Sequence, residues 1–209
     1  MRYDAAHRAA TFFASRAIGD DELVHPYLAP VVHQLAPWLG YTSLHGGAFI
    51  HEGGAWALLA ARSGGKSTTL ARLAQAGVAV LSDDLVAARE TLVMAGPRCI
   101  DLRPESAREI DVDVREVRGG TRSRLELPMV EPSAPLRGFF LLDWGDRTDI
   151  APLGPSERLV AVARHCDRQS ARGRALLELA ELPAFRIRRP PDLAELDTVC
   201  GKLLEAASR

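Results

Sequence analysis

Four side chains that could do chemistry together come from two short segments of this sequence. Lys66 and Ser67 close the stretch AARSGGKS, and Asp83 and Asp84 follow a short apolar run. A lysine ammonium at the start of a helix can follow the outer phosphates of a nucleotide, and a serine hydroxyl beside it can bind Mg²⁺. Of two adjacent carboxylates, one can hold the metal ion while the other accepts a proton from an attacking hydroxyl. The pattern therefore predicts an Mg–nucleotide site.

The choice of lysine at position 66 strengthens this prediction. Lys66 is one of two lysines in a chain with twenty-four arginines. A phosphate loop needs a compact ammonium on a flexible stem, which the planar arginine fork does not replace. The template G-x-x-x-x-G-K-[ST] matches at its last three positions, and Ala60 stands where the first glycine is usual. We expect Ser63, Gly64, Gly65, Lys66, Ser67 and Thr68 to hold the phosphates. The alternative is a tight turn that only requires glycine.

The surrounding elements must bring these side chains together. Apolar runs at 46–51 and 55–61 predict two strands joined by a tight turn, and 66–76 predicts a helix that Gly77 ends. The run 78–81 predicts a strand buried on both faces. Because ligands lie beyond the carboxyl ends of strands in open α/β sheets, both aspartates should lie beside the phosphate loop. An Asx turn or a helix cap is the structural alternative for this pair.

The rest of the chain continues the alternation of helices and strands. The segment 1–40 reads as an N-terminal helical segment ahead of a catalytic domain at 41–209, and 104–120 reads as an irregular loop. Helical periodicity covers 21–39 (interrupted by Pro26 and Pro30), 155–165, 171–180 and 192–207. Strand patterns occur at 85–88, 91–95, 122–127, 136–142 and 184–188.

Composition excludes several classes of partner. The chain has 209 residues, is 47% hydrophobic and carries a formal net charge of −1, so no basic field would hold nucleic acid or an anionic membrane. Three widely spaced cysteines form no CxxC pair, which predicts reduced thiols rather than disulfides or a zinc site. No segment is apolar enough for a membrane span, and the charged N-terminus does not read as a signal peptide. We expect a cytoplasmic protein.

Further site residues are suggested by less specific patterns. Arg122 and Arg124 alternate and so share one face of a strand, from which they could clamp a nucleotide; a solvated strand face is the alternative. His45 precedes the first predicted strand, and sequence alone says little about it. Glu116 is a weak candidate for a second metal ligand.

The motifs from Leu44-His45-Gly46-Gly47 to Ser82-Asp83-Asp84 resemble the catalytic domain of the HPr kinase/phosphorylase family (the HPr serine kinase C-terminal domain). His45 precedes Lys66 by 21 positions and Asp83 follows it by 17, as in that family. The resemblance implies an α/β fold: a P-loop nucleotide-binding domain with a mixed sheet, similar to the nucleotide-binding half of phosphoenolpyruvate carboxykinase.

The same resemblance implies roles for individual residues. Asp83 would take the proton of the acceptor serine, and His45 would orient or polarise it. Asp84 would join Ser67 at the metal, and Glu116 would match the acidic residue of the family's Glu-x-Arg-Gly stretch. Ala60 and Ser63 depart from the family's glycine pattern, and the family's HPr-contacting loop is not recognisable around 153–165.

Together these features predict an ATP- and Mg²⁺-dependent kinase that phosphorylates a serine of a peptide or small protein. Short relatives resemble kinases of ribosomally made peptides, such as lasso-peptide precursors. HPr kinases form hexamers, so the resemblance also suggests a homo-oligomer without fixing its size. Two alternatives stay open: a nucleotide-binding regulatory protein without transfer activity, and a small-molecule kinase. A transporter ATPase is disfavoured because no Leu-Ser-Gly-Gly signature follows the loop.

Overall fold

The N-terminal segment combines a small hairpin with an irregular helix. The computed structural model describes residues 2–4, 6–7, 9–167 and 173–209. The first elements are β1 (Arg2–Asp4), β2 (Ala9–Thr11), α1 (Asp20–Glu22), a π-helical turn (Leu23–Tyr27), α2 (Leu28–Leu35) and a 3₁₀ turn (Pro37–Leu39). Pro30 lies in the first turn of α2, shortly after the π-helical turn, where the pattern of helical hydrogen bonds changes. The predicted helix of this region is therefore present in interrupted form.

The remaining elements alternate between strands and helices. In chain order they are β3 (Thr42–His51), β4 (Gly54–Ala60), α3 (Lys66–Gln75), β5 (Val80–Ser82), β6 (Leu85–Arg89), β7 (Leu92–Met94), β8 (Cys99–Leu102), α4 (Pro104–Glu109), β9 (Arg115–Val117), β10 (Arg122–Glu126), β11 (Ser133–Trp144), β12 (Asp149–Pro152), α5 (Pro155–His165), α6 (Gly173–Glu181), β13 (Ala184–Arg189), a 3₁₀ turn (Leu193–Glu195) and α7 (Leu196–Ala207). In the described part of the chain, no helix has the length and apolar character that a bilayer crossing would require.

A large mixed sheet organises the molecule, as the sequence predicts for an α/β fold. Eight strands of the described chain form it, in the order β12-β13-β11-β4-β3-β6-β7, with β5 paired to β3. β4 and β13 run parallel to β11 on its two sides, whereas β3 runs antiparallel to β4. The first residues of β11 also pair with β7, so one part of the sheet curls back on itself.

This topology brings distant segments to one edge of the sheet. Because β4, β11 and β13 are parallel, their carboxyl ends meet there. Because β3 is antiparallel to β4, the beginning of β3 reaches the same edge, with Gly46 opposite Leu59. β5 is antiparallel to β3, with Ser82 opposite Ala48, so the chain leaves β5 at this edge as well. The loop after β4 and the residues after β5 are therefore neighbours.

Helices cover both faces of the sheet. Successive strand residues point to opposite faces, so Leu58 and Phe140 join the core beneath α3 and α7, whereas Leu59 and Phe139 join the core beneath α5 and α6. Every residue of β4 is buried, which marks it as a central strand. The rigid, doubly covered centre of the sheet supports the loop that follows β4.

A three-stranded sheet with the order β8-β10-β9 packs outside α3. The prediction for the segment that leads into this sheet is wrong. The segment 104–120 is not an irregular loop, because it contains α4 and β9. Pro104 opens α4 at the first helical position, and Ala107 and Ile110, three residues apart, are buried in the core. The polar composition of this segment hid its short apolar face.

Candidate nucleotide-binding site

The loop between β4 and α3 turns tightly and exposes the start of a helix. Ser63 and Gly65 adopt left-handed backbone angles, with φ of 63° and 82°, and the amide of Gly64 donates to the carbonyl of Ala61 at 2.9 Å. No side chain caps α3. The first amides of a helix lack intrahelical acceptors and lie at the positive end of its dipole. This end of α3 can therefore attract and bind an anion.

Lys66 is the first residue of α3, and its ammonium is folded into the loop. Lys66 is only 6% exposed, and its Nζ donates to the carbonyl oxygens of Ala60 at 3.1 Å and Ala61 at 3.5 Å. Burial lowers the pKa of Lys66, while the charges of Asp83 and Asp84 act in the opposite direction. The structure thus holds one cation and two carboxylates close enough to influence one another.

His45 contacts this ammonium, and its place in the fold differs from the prediction. The residue lies within β3, opposite Leu85, rather than ahead of the strand. Its Nε2 lies 3.2 Å from Lys66 Nζ, and its ring also hydrogen-bonds to the backbone carbonyl of Asp84. Burial, followed by the charge of Lys66, lowers the pKa of His45. Because an ammonium can only donate, Nε2 must accept, and we assign the ring proton to Nδ1 of a neutral imidazole.

The two aspartates occupy different positions after β5. Asp83 is 8% exposed, and its Oδ1 accepts a hydrogen bond from Ser67 Oγ at 3.2 Å. Asp84 has a left-handed φ of 64° and lines the cleft in front of the loop between β4 and α3. A left-handed φ at a non-glycine residue is uncommon and is tolerated by aspartate better than by most side chains. The turn therefore directs two adjacent carboxylates to different places in one site.

The cleft itself has a volume of about 580 Å³, within the range of small-molecule sites. Besides the loop and Asp84 it is lined by Arg62, Arg103, Arg118 and Arg122. Sequence reasoning missed Arg103 and Arg118. The Nη2 of Arg103 donates to Ser63 Oγ at 3.0 Å and so ties β8 to the loop. Arg103 directly precedes the proline of a helix start, a position that could have identified it.

The remaining predicted site residues fall into two groups. Arg122 lines the cleft, whereas the guanidinium of Arg124 is held in a buried ion pair with Asp101, at 2.6 Å, and with Asp21, at 2.9 Å. Arg124 is therefore engaged in joining β8, β10 and the N-terminal segment. Glu116 lies on β9 with its side chain exposed, and it does not line this cleft. The structure brings Ser63–Thr68, His45, Asp83, Asp84 and Arg122 together and leaves Arg124 and Glu116 outside.

The cleft has the donors that a nucleotide and Mg²⁺ would require. Among the described residues no cluster of three or more histidine, cysteine or acidic side chains could hold a metal ion by itself. Mg²⁺ does not need such a cluster, because it is usually bound by one or two carboxylates together with substrate phosphates. Ser67 with Asp83, or with Asp84, would supply the protein's share of these ligands. The uncapped helix start and Lys66 fit the phosphates.

A second cavity, of about 670 Å³, adjoins this cleft. His45 and Arg62 line both cavities, so the two spaces meet at these side chains. The second cavity lies against α5 and is lined there by Val160, Arg164 and His165. A molecule bound in it would approach the loop between β4 and α3 from the side of His45.

Comparisons with solved structures give a distant likeness in fold. No family model matches the chain, and neither does any curated protein sequence. The fold is similar to that of the Hpr(Ser) kinase/phosphatase from Coxiella burnetii, with 9% sequence identity and a TM-score of 0.40, over 80% of this chain and 90% of that one. A likeness at this level carries no argument about function, which must come from the side chains of the cleft.

Proposed function

We propose that this protein is an ATP- and Mg²⁺-dependent phosphotransferase that acts on a serine hydroxyl of a peptide or small protein. One observation carries the proposal: a buried lysine ammonium lies at the uncapped start of α3, beside two carboxylates and a serine hydroxyl. A protein that only bound nucleotide would have no need of a proton acceptor at this place. The predicted motif of Lys66, Ser67 and the aspartate pair supports the same chemistry.

In this proposal the loop amides and Lys66 bind the phosphates, and Arg122 and Arg103, which line the same cleft, add positive charge. When bound, Mg²⁺ neutralises charge on the transferring phosphoryl group. The protein contributes positioning and electrostatic stabilisation, which supply most of the catalysis in phosphoryl transfer. The acceptor hydroxyl enters from the second cavity, which meets the cleft at His45.

The sequence-based assignment makes Asp83 the proton acceptor and Asp84 a metal ligand. The hydrogen bond from Ser67 to Asp83 favours the reverse division, because a loop serine and a strand-end aspartate commonly share the metal ion. His45 acts by position in either case. Its Nε2 already accepts from Lys66, so the neutral ring orients neighbouring groups rather than collecting the acceptor's proton.

The test is transfer from γ-labelled ATP, with Mg²⁺, to a library of serine peptides and to a matched library that has alanine in place of serine. Label in the serine library alone supports the proposal. Label on small hydroxyl compounds instead would point to the small-molecule kinase. Tight ATP binding with no labelled product from either source would point to the regulatory protein and would refute transfer.

Two isosteric variants then separate the carboxylate roles. Loss of the proton acceptor should lower transfer about 10²–10⁴-fold and leave Mg–ATP affinity nearly unchanged. Loss of the metal ligand should weaken Mg²⁺-dependent ATP binding as well as transfer. The sequence-based assignment expects the first result for Asp83→Asn and the second for Asp84→Asn. The opposite pattern would establish the reversed roles, and equal loss of binding in both variants would leave neither residue as the proton acceptor.

A further inference from the structure

A buried cation lies against the phosphate loop without lining the cleft. Arg189 is the last residue of β13 and is 1% exposed. Its Nη2 lies 3.5 Å from the carbonyl oxygen of Gly64. A Cβ atom added at Gly65 would overlap the same Nη2, so the guanidinium fills the space that a side chain at Gly65 would need. The parallel pairing of β13 with β11 delivers Arg189 to this edge of the sheet.

The positive charge of Arg189 is poorly compensated inside the protein. Among the residues that the structure describes, neither Nε nor Nη1 of Arg189 has a hydrogen-bond partner. The ring of Trp144 covers the guanidinium at 4.4 Å and limits its access to water. The thiol of Cys200 acts on it electrostatically, but burial raises the pKa of Cys200 to about 12, so that thiol is uncharged at neutral pH.

A buried charge without a counter-charge destabilises a folded protein, so its position calls for a physical reason. Three positive features meet at Gly64–Lys66: the uncapped start of α3, the ammonium of Lys66 and, behind the loop, Arg189. Charges separated by a few ångströms of protein are screened much less than charges in water. A polyphosphate chain in the cleft would interact favourably with all three.

We propose that Arg189 is a positioning residue for the polyphosphate of the ligand. Its side chain holds the Gly64 carbonyl on the far side of the loop, so that the neighbouring amides point to the cleft. Its positive charge also strengthens binding of the outer phosphates. The inference rests on the proposed function in taking a nucleoside triphosphate as the ligand. It adds a residue that does not touch the ligand and that the phosphate-loop motif does not contain.

The central experiment compares Arg189→Met with Arg188→Met, which removes an exposed arginine from the adjacent position of the same strand. Dissociation constants are measured by calorimetry, with Mg²⁺ present, for ATP, AMP and inorganic tripolyphosphate. Arg189→Met should weaken ATP and tripolyphosphate about tenfold or more, and AMP less than about threefold. Arg188→Met should leave all three constants unchanged.

Unfolding of the ligand-free proteins separates positioning from general support of the fold. Because no carboxylate of the described residues acts on the charge of Arg189, Arg189→Met should be at least as stable as the wild type. A structural role would instead lower stability and weaken AMP and ATP by the same factor, which would overturn the inference. Wild-type affinity of Arg189→Met for tripolyphosphate would overturn it too.

Two further variants keep the test decisive if Arg189→Met does not fold. Trp144 is 49% exposed, so Trp144→Leu should fold while it admits water to the guanidinium. Water screening should then weaken tripolyphosphate binding about two- to fivefold with no change for AMP. Arg189→Lys keeps the charge and should bind tripolyphosphate within about threefold of the wild type. Unchanged tripolyphosphate affinity in Trp144→Leu, or a loss in Arg189→Lys that is equal for AMP and tripolyphosphate, would refute the proposal.

The outcomes for Arg189 and for the proposed function are distinguishable. Arg189-dependent binding of tripolyphosphate without phosphoryl transfer to serine would overturn the function and keep the inference. Transfer to serine by a protein whose triphosphate affinity does not depend on Arg189 would support the function and overturn the inference. If the wild type bound neither ATP nor tripolyphosphate, both would fall.

Discussion

Replacement of Lys66 by methionine should make the ligand-free protein more stable and remove most of its stabilisation by nucleotide. The ammonium is almost fully buried and donates to two carbonyl oxygens and to His45, while burial lowers its pKa. Desolvation of the charge is thus only partly offset. Methionine has a similar length without the charge. We expect the free energy of unfolding to rise by about 1–2 kcal/mol, or roughly 2–8 °C in Tm for a chain of this size.

The nucleotide response should change in the opposite direction. A ligand present at a hundredfold excess over its Kd stabilises the folded state by about 2.7 kcal/mol. Mg–ATP should therefore raise the Tm of the wild type by roughly 5–11 °C. Lys66→Met should lose most of this increase, so that the variant is the more stable protein without ATP and the less stable one with it.

The assay is thermal unfolding by circular dichroism with and without Mg–ATP, and Lys202→Met is the matched control. Lys202 is the chain's other lysine and lies half-buried on α7. Its replacement should leave the ATP-dependent shift intact. The reasoning is refuted if Lys66→Met lowers the stability of the free protein and still responds to Mg–ATP like the wild type, because Lys66 would then be a structural residue.

The other predictions concern the ion pair, the histidines and the loop. Arg124→Met should lower the free energy of unfolding by about 3 kcal/mol, because Asp101 loses its closest cation, and denaturant titration measures this change. Arg122→Met should weaken ATP binding, measured by calorimetry, with little change in stability. A selective loss of ATP affinity in Arg124→Met would contradict its structural role. The pKa values of His33 and His45 are lowered from the ordinary 6.5, chiefly by burial. The contribution of these neutral rings to the free energy of unfolding is therefore complete above pH 6.5. It is lost as the pH falls below 6.5, at a rate of at most about 1.4 kcal/mol per pH unit for each histidine. His45→Asn should flatten this part of the pH–stability curve, and an unchanged slope would argue against a neutral buried ring. Gly65→Ala should weaken tripolyphosphate binding and lower stability together, because φ is 82° and the new methyl group would displace Arg189. Wild-type affinity together with wild-type stability would contradict this geometry of the loop.

Periodicity identified the elements whose signals are local. The predicted helix 155–165 coincides with α5, because Gly154 and Pro155 mark its start and apolar residues follow at helical spacing. The helix after the phosphate loop and the strand before it are also close to prediction. In contrast, β8 and β12 were not predicted, since Asp101 interrupts the apolar run of β8 and β12 contains Asp149 and Pro152. β3 begins earlier than predicted, so its pairing with β6 was missed.

The sequence by itself determined which chemistry is available: a lysine and a serine after a glycine turn, and two aspartates after a short strand. These are features of neighbouring residues, and local backbone preferences are sufficient to predict them. Only the tertiary structure decided that His45 meets Lys66, that Arg124 is used in a buried ion pair and that Arg189 lies behind the loop. Each of these contacts depends on which strands pair and in which direction, and that choice is made by burial of two whole sheet faces rather than by any short stretch of chain.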